Sequence, residues 1–177
     1  MQATELIRMI QQEAHPMLEG MFGELRTNLG TSHFHRLSNE EIFRRGNVAF
    51  QRLAEWLTSR DNAAVHQFSL GVGRERADEG IPLGQVVLSF ILGERQIWNY
   101  VGQVGKQADE ALRLDVAEFF ARTIYSISLG YEEALTESQR KSRGTITTPS
   151  KAAAAAVEEV EEELPISRSG VIGEHGG

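Results

Sequence analysis

Residues 80–101 read GIPLGQVVLSFILGERQIWNYV, and the spacing of the apolar side chains in this stretch favours a helix over a strand. Apolar residues recur at helical intervals at Leu83, Val86, Val87, Phe90, Ile91, Ile97, Trp98 and Val101. Gly80 is suited to ending a preceding helix, and Pro82 is tolerated in the first turn of a following one. The stretch therefore predicts a sharp turn between two helices, the second of which has a broad apolar side.

Upstream of this turn, the pattern predicts further helices and one loop. Thr4 is expected to cap a first amphipathic segment, which Pro16 interrupts because proline lacks an amide donor and clashes with the preceding turn. A second piece spans residues 17–29 and stops at Gly30. Residues 30–37, which include the sequence His-Phe-His, are expected to form a loop.

Two capping signals define the helices that follow this loop. Ser38 is followed three residues later by Glu41, which is the capping-box pattern, and so predicts the start of a helix. Asp61 is suited to beginning the next helix, which ends at Gly80. A last and longest helix is expected from about Asp109 to Arg140. Together these signals predict an all-α, globin-like bundle of about five helices with a long C-terminal helix.

The long last helix carries two lines of apolar residues instead of one. They are Leu112, Val116, Phe119, Ile127 and Ala134 along one line, and Ala117, Phe120, Ile124, Tyr131 and Leu135 along the next. Such a wide apolar surface needs partners on two sides. Either the helix lies at the centre of its own subunit, or part of this surface is a self-association interface. The sequence leaves both interpretations open.

Composition excludes several classes of protein. The 177 residues include no cysteine, so disulfide scaffolds, thiolate metal sites and cysteine catalysis are excluded. The net charge of −7 disfavours nonspecific binding to nucleic acid or to anionic membranes. The longest nearly apolar run, residues 86–92, is too short to span a bilayer. With no signal-peptide pattern at the N-terminus, we expect a cytoplasmic location.

The composition changes after Pro149. Residues 151–177 contain five consecutive alanines, six glutamates and no aromatic residue, and their net charge is −4. Such a segment has too few large apolar side chains to dock firmly on a core. The predicted organisation is a helical domain over residues 1–148, followed by a flexible acidic tail, rich in Ala and Glu, over residues 149–177.

Few residues suggest catalysis or metal binding. His15 and Glu19 are one helical turn apart and could bind a metal, although Pro16 lies between them and no second pair supports the site. His66, on the third predicted helix, is a candidate haem ligand. His33 and His35 lack further ligands nearby and are expected to be solvent-exposed. We therefore expect no enzyme activity, no cofactor and no metal, and keep a haem sensor and a small metal protein or enzyme as alternatives.

The segment from Gly71 to Trp98 resembles the N-terminal sensory domain of the RsbR and RsbRD co-antagonists of stressosomes. In that family a helix ends in Arg-x-x-x-Gly-(Ile/Val)-Pro-Leu and leads into a long amphipathic helix that often carries an aromatic residue. The residues at those places here are Arg76, Gly80, Ile81, Pro82, Leu83 and Trp98. The resemblance implies a globin-like bacterial signalling domain that holds no haem, is commonly dimeric and passes a signal through its last helix.

These observations lead to one functional expectation. The chain is expected to be a non-enzymatic sensory or regulatory module of bacterial signal transduction, forming a homodimer and acting on a STAS-domain protein or a kinase. The predicted interface residues are Trp98, Phe119, Phe120, Ile124 and Ile127. The family usually carries an output module after the last helix, and here an acidic tail follows instead, so a phosphotransfer role is not carried over.

Overall fold

The computed structural model describes residues 1–146, with side chains up to residue 143. Within that part of the chain there are five α-helices, one 3-10 helix (η1) and no strand. In chain order they are α1 (Ala3–Thr27), η1 (Leu29–Arg36), α2 (Asn39–Ser59), α3 (Asn62–Asp78), α4 (Leu83–Gln103) and α5 (Glu110–Ile146). The predicted all-α, globin-like bundle with a long C-terminal helix is confirmed. The predicted tail, 149–177, lies outside the described residues.

The helix starts follow the predicted capping chemistry at two places. The Ser38 hydroxyl accepts a hydrogen bond from the backbone N–H of Glu41 at 3.0 Å, and so begins α2. The Asp61 carboxylate accepts from the N–H groups of Ala63 and Ala64, and so begins α3. Each cap satisfies amide donors that have no carbonyl partner within the helix.

The start of α1 differs from the sequence expectation. The N-cap is Gln2, without a side-chain cap, and Thr4 lies inside the helix. The predicted interruption at Pro16 takes the form of a kink that joins two helical parts of α1. The backbone leaves helical geometry at Glu13, three residues before Pro16, and the helix then continues to Thr27. Buried apolar side chains on both sides of the kink, including Met9 and Leu18, hold the two parts against the same core.

Residues 29–36 form a 3-10 helix, so the predicted loop is wrong. Two contacts hold it in place. The Thr31 hydroxyl donates to the carbonyl of Leu25 at 2.9 Å, and the N–H of His33 donates to the side-chain oxygen of Gln85 on α4 at 2.8 Å. The second contact joins residues that are far apart in the sequence, so local pattern alone does not predict it.

The chain divides into two units, Met1–Ser138 and Gln139–Gly177. In the first unit, α1 packs against α2, α4 and η1. Its core draws on all five α-helices and includes Leu6, Leu18, Phe50, Ile97, Val116 and Phe120. In the second unit, the described residues are the last turns of α5.

The crossing of α3 and α5 is held by two glycines. A Cβ atom at Gly73 would lie 2.1 Å from the carbonyl oxygen of Ile127, and one at Gly130 would lie 2.2 Å from that of Leu70. Real Cβ atoms do not approach oxygen so closely, so each helix needs a residue without a side chain where the two backbones meet. The position of α3 against α5 therefore depends on Gly73 and Gly130.

Candidate functional site

The sequence motif that begins at Arg76 forms the turn between α3 and α4. The N–H of Ile81 donates to the carbonyl of Arg76, and the N–H of Gly80 donates to that of Ala77, both at 3.0 Å. Gly80 has a φ of 69°, in the left-handed region that favours glycine. This hydrogen-bond pair is the Schellman motif that closes a helix C-terminus. Pro82 then precedes the first residue of α4, Leu83.

The turn is tied to two other helices. Tyr131 on α5 donates its hydroxyl hydrogen bond to the carbonyl of Ile81 at 2.9 Å. From α2, the guanidinium of Arg45 donates to both carboxylate oxygens of Glu79, at 2.8 and 3.0 Å. Arg76 donates to the same carboxylate at 2.7 Å. We call these residues, with Gly80 and Pro82, the α3–α4 junction. The junction is hydrogen-bonded to α2 through Arg45 and to α5 through Tyr131. A displacement of either helix therefore changes the length of these hydrogen bonds.

Hydrogen bonds stabilise the charged forms of Glu79, in the junction, and of Glu41 on α2, which also binds Arg45. Partial burial raises the pKa of Glu79, but hydrogen bonds from Arg45 and Arg76 outweigh burial and hold the pKa below its ordinary value. Hydrogen bonds from Arg44 and Arg45 lower the pKa of Glu41 to about 2. Both carboxylates therefore remain ionised at neutral pH, and the ion pairs persist.

The helices α4 and α5 run antiparallel beside each other. Three contacts show this: as the residue number increases along α5, the residue number of the contacted position on α4, or in the turn before it, decreases. The guanidinium of Arg113 lies over the ring of Trp98, 5.0 Å from its centroid. Phe120 lies next to Gly93, and Tyr131 reaches Ile81.

Helices α4 and α5 both carry apolar side chains that are exposed or partly exposed to solvent. On α4, Ile91 lies two turns before Trp98 and is 48% exposed. On α5, Ala117 and Ile124 are also two turns apart; Ala117 is exposed and Ile124 is half-buried. We call Ile91, Trp98, Ala117 and Ile124 the α4–α5 face. Further apolar side chains are exposed on α5, at Leu114, Tyr125 and Leu135.

The predicted interface residues divide into two groups. Phe119, Phe120 and Ile127 are at most 2% exposed within a single chain, so their side chains offer no surface to a partner. Phe119 packs against Trp56 of α2 and against Phe120. These three residues belong to the core, which corrects their expected place at an interface. Trp98 and Ile124 are partly exposed on the α4–α5 face.

The candidate metal ligands His15 and Glu19 lie side by side, but among the described residues no third ligand joins them. His15 and Glu19 lie 3.3 Å apart, and both side chains are largely exposed. Among residues 1–146, no group of three or more histidine, aspartate or glutamate side chains is arranged to hold a metal ion. His66 forms a hydrogen bond with the Ser126 hydroxyl at 2.8 Å in a surface pocket. The other residues that line this pocket are Asn62, Arg122, Tyr125 and Ser126, which include no aliphatic side chain to pack against a haem.

One apolar cavity in the first unit has no counterpart in the sequence analysis. It has a volume of about 60 Å³ and lies among α1, η1, α2, α4 and α5. Its lining is Met21, Leu25, Phe34, Ile42, Arg45, Gly46, Ala49, Phe50, Ser89, Phe90, Gly93 and Phe120. Helical periodicity predicts that these residues face inwards, but it carries no information about gaps between them.

These features define an all-helical, globin-like domain in which the α3–α4 turn is hydrogen-bonded to α2 and α5, and in which α4 and α5 expose apolar side chains. A family model described as the RsbT co-antagonist protein rsbRD N-terminal domain matches residues 15–147. The chain belongs to this family, and the resemblance drawn from the motif around Gly80 is confirmed. No curated protein and no solved structure gives a significant match to the chain. The family places the chain among stressosome-related sensory and regulatory domains. Within residues 1–146, no helix has the length and apolar content needed to cross a membrane.

Proposed function

We propose that this chain is a non-enzymatic sensory module that forms a homodimer through the α4–α5 face. It passes a signal through α5 to a separate signalling partner, a STAS-domain protein or a kinase of a stressosome-like system. The family match supports the regulatory role. The observation that carries the dimer is the exposure of apolar side chains on the α4–α5 face: Ile91 is 48% exposed, and Trp98 and Ile124 are partly exposed.

A two-fold dimer is the simplest assembly that covers such a surface. In an isologous interface each copy presents the same patch, so one apolar face is enough to make both halves. Ile91 and Ile124 supply aliphatic contact area, and the aromatic ring of Trp98 is of the kind enriched at interfaces. The guanidinium of Arg113 over that ring gives the face a polar edge.

The junction supports a route for the signal. Tyr131 lies on α5 next to the α4–α5 face and is hydrogen-bonded to the backbone of the turn at Ile81. The same turn is ion-paired to α2 through Arg45. A change in the interior of the bundle that moves α2 or α4 would therefore reach α5 through bonded contacts.

Charge substitution tests the dimer. The Ile124→Glu protein is expected to be a folded monomer, because a carboxylate in an apolar interface is costly, while a half-buried position lets it reach water in the monomer. Val48→Glu is the matched control, since Val48 is 38% exposed on α2 and lines a pocket with residues of α3, none of which belongs to the α4–α5 face. Light scattering coupled to size-exclusion chromatography gives the mass, and circular dichroism gives the fold. A dimeric Ile124→Glu protein contradicts the proposed interface.

A further inference from the structure

We propose that the apolar cavity at Gly93 binds a small uncharged apolar molecule, and that this molecule is an input to the domain. The binding site itself is independent of the dimer. Its role as an input rests on the sensory function proposed above.

The chemistry of the cavity wall selects the class of ligand. Only two polar side chains line it, Arg45 and Ser89, and both are engaged. The three guanidinium nitrogens of Arg45 donate to Glu41 and Glu79, and the Ser89 hydroxyl donates to the carbonyl of Val86 at 2.7 Å. A buried water needs two to four polar partners. The wall offers only the acceptor side of the Ser89 hydroxyl and the two remaining N–H groups of Arg45. It is therefore poor in partners for a water or a polar ligand, whereas an apolar molecule needs none.

The size of the cavity limits the ligand further. Its volume of about 60 Å³ is smaller than the ~150 Å³ of an engineered apolar cavity that binds benzene or xenon. A haem, a flavin or a nucleotide does not fit in such a space. The ligand is therefore a molecule of a few heavy atoms at most, of the size of a dissolved gas or a short hydrocarbon.

Gly93 keeps the cavity open without being required by the packing of helices. A Cβ atom there would lie 3.7 to 3.9 Å from Met21, Phe120 and Phe50, which is ordinary van der Waals distance. An alanine would therefore fit, and it would favour the helix by about 1 kcal/mol relative to glycine. Gly46 in the same wall is different, because a Cβ atom there would lie 2.7 Å from Leu18. A side chain at Gly46 would therefore displace the ends of the Leu18 and Met21 side chains, whereas at Gly93 the missing methyl group leaves space in the cavity.

The cavity is connected to both functional features of the domain. Arg45 forms part of its wall and is also the α2 partner of Glu79 in the α3–α4 junction. Phe90 and Phe120 line it from α4 and α5, the two helices that carry the α4–α5 face. A ligand in the cavity therefore touches α2, α4 and α5 at once, and binding favours whichever arrangement of these helices leaves room for it.

Xenon is a suitable probe, because it is apolar and has no hydrogen-bonding groups. We expect saturable shifts in the methyl NMR signals of Met21, Leu25 and Ile42 as the xenon pressure on the full chain rises. In the Gly93→Ala protein, whose new methyl group points into the cavity, the apparent xenon affinity should fall by about tenfold or more, equivalent to at least about 1.4 kcal/mol. Gly71→Ala is the matched control, since Gly71 lies within α3 and a Cβ atom there meets nothing within 4 Å. It should bind xenon like the unmodified chain.

Two results would overturn the proposal. One is the absence of saturable shifts in the unmodified chain, and the other is an equal response of the Gly93→Ala and Gly71→Ala proteins. Ala49→Val, which narrows the cavity from α2, provides a second variant should Gly93→Ala fail to fold. The mass of each sample is measured in parallel by light scattering. A dimer without xenon binding contradicts the cavity proposal alone, and xenon binding to a monomer contradicts the dimer alone.

Discussion

Replacing Gly73 by alanine tests whether the close contact between α3 and α5 fixes the position of the long helix. The new Cβ atom would start 2.1 Å from the carbonyl oxygen of Ile127 and 2.8 Å from the backbone nitrogen of Tyr131. A normal carbon contact is about 3.5–4.0 Å, so the helices must separate by about 1 Å or more. The obstacle is backbone, which has no alternative rotamer, so the strain cannot be relieved locally.

The magnitude follows from two opposing effects. Overpacking of a core costs about 1–3 kcal/mol and occasionally more, whereas replacing glycine by alanine within a helix gains about 1 kcal/mol. Because the contact is between two backbones, we expect the overpacking cost in unfolding free energy to lie at or above the upper end of that range. The Gly73→Ala protein should therefore lose about 2 kcal/mol or more of unfolding free energy, and its Tm should fall by at least about 4–8 °C.

Thermal and urea unfolding followed by circular dichroism measure this effect. Gly71→Ala is the matched control, two residues away in the same helix, with open space where its Cβ atom would lie. It should raise the free energy of unfolding by about 0.4–1 kcal/mol. Equal Tm values for the two variants would refute the account of the crossing. Gly130→Ala should resemble Gly73→Ala, because its Cβ atom would lie 2.2 Å from the carbonyl oxygen of Leu70.

Two further predictions concern pH and the C-terminal segment. Because ion pairing lowers the pKa of Glu41 to about 2, its contribution to stability is fully present above the ordinary carboxyl pKa of about 4.5 and is lost as the pH falls towards 2. Thermal melts between pH 7 and pH 2 should therefore show a smaller acid loss of Tm for Glu41→Gln than for the unmodified chain, and parallel curves would contradict this. Removing residues 149–177 should leave the Tm within a few degrees, because that segment lacks bulky apolar side chains; a broad, non-cooperative melt of the truncated chain would show that it is part of the fold.

Local chemistry explains why much of the fold could be predicted. Ser38 and Asp61 cap helices through hydrogen bonds to residues two or three positions away, and the turn at Gly80 is closed by bonds within six residues. Such contacts are encoded in short stretches of sequence. The 3-10 helix at Leu29–Arg36 was not predicted, because its hydrogen bond from His33 goes to Gln85 on a distant helix.

The candidate site was predicted less completely, for a different physical reason. An apolar line on a helix shows that a surface is covered, but not whether the same chain or a second copy covers it. For this reason the periodicity of α5 did not separate Phe120, which is in the core, from Ile124, which is half-buried on the α4–α5 face. The exposed residues Leu114 and Tyr125 were missed, although their spacing of three turns places them on one side of α5. The cavity depends on how five elements pack together, so no short stretch of sequence predicts it.

The proposed dimer can be measured directly with spin labels, because the chain contains no cysteine and each label therefore has one defined position. Ala121 is exposed on α5 beside Ile124, so a label attached to Ala121→Cys lies at the edge of the α4–α5 face. A label on Val48→Cys lies on α2 beside α3, among residues that do not belong to that face. In pulsed electron–electron resonance, the account predicts a dipolar signal between copies, with a shorter distance at position 121 than at position 48. Absence of any signal between copies at high micromolar protein, or a shorter distance at position 48, would contradict dimerisation through α4 and α5.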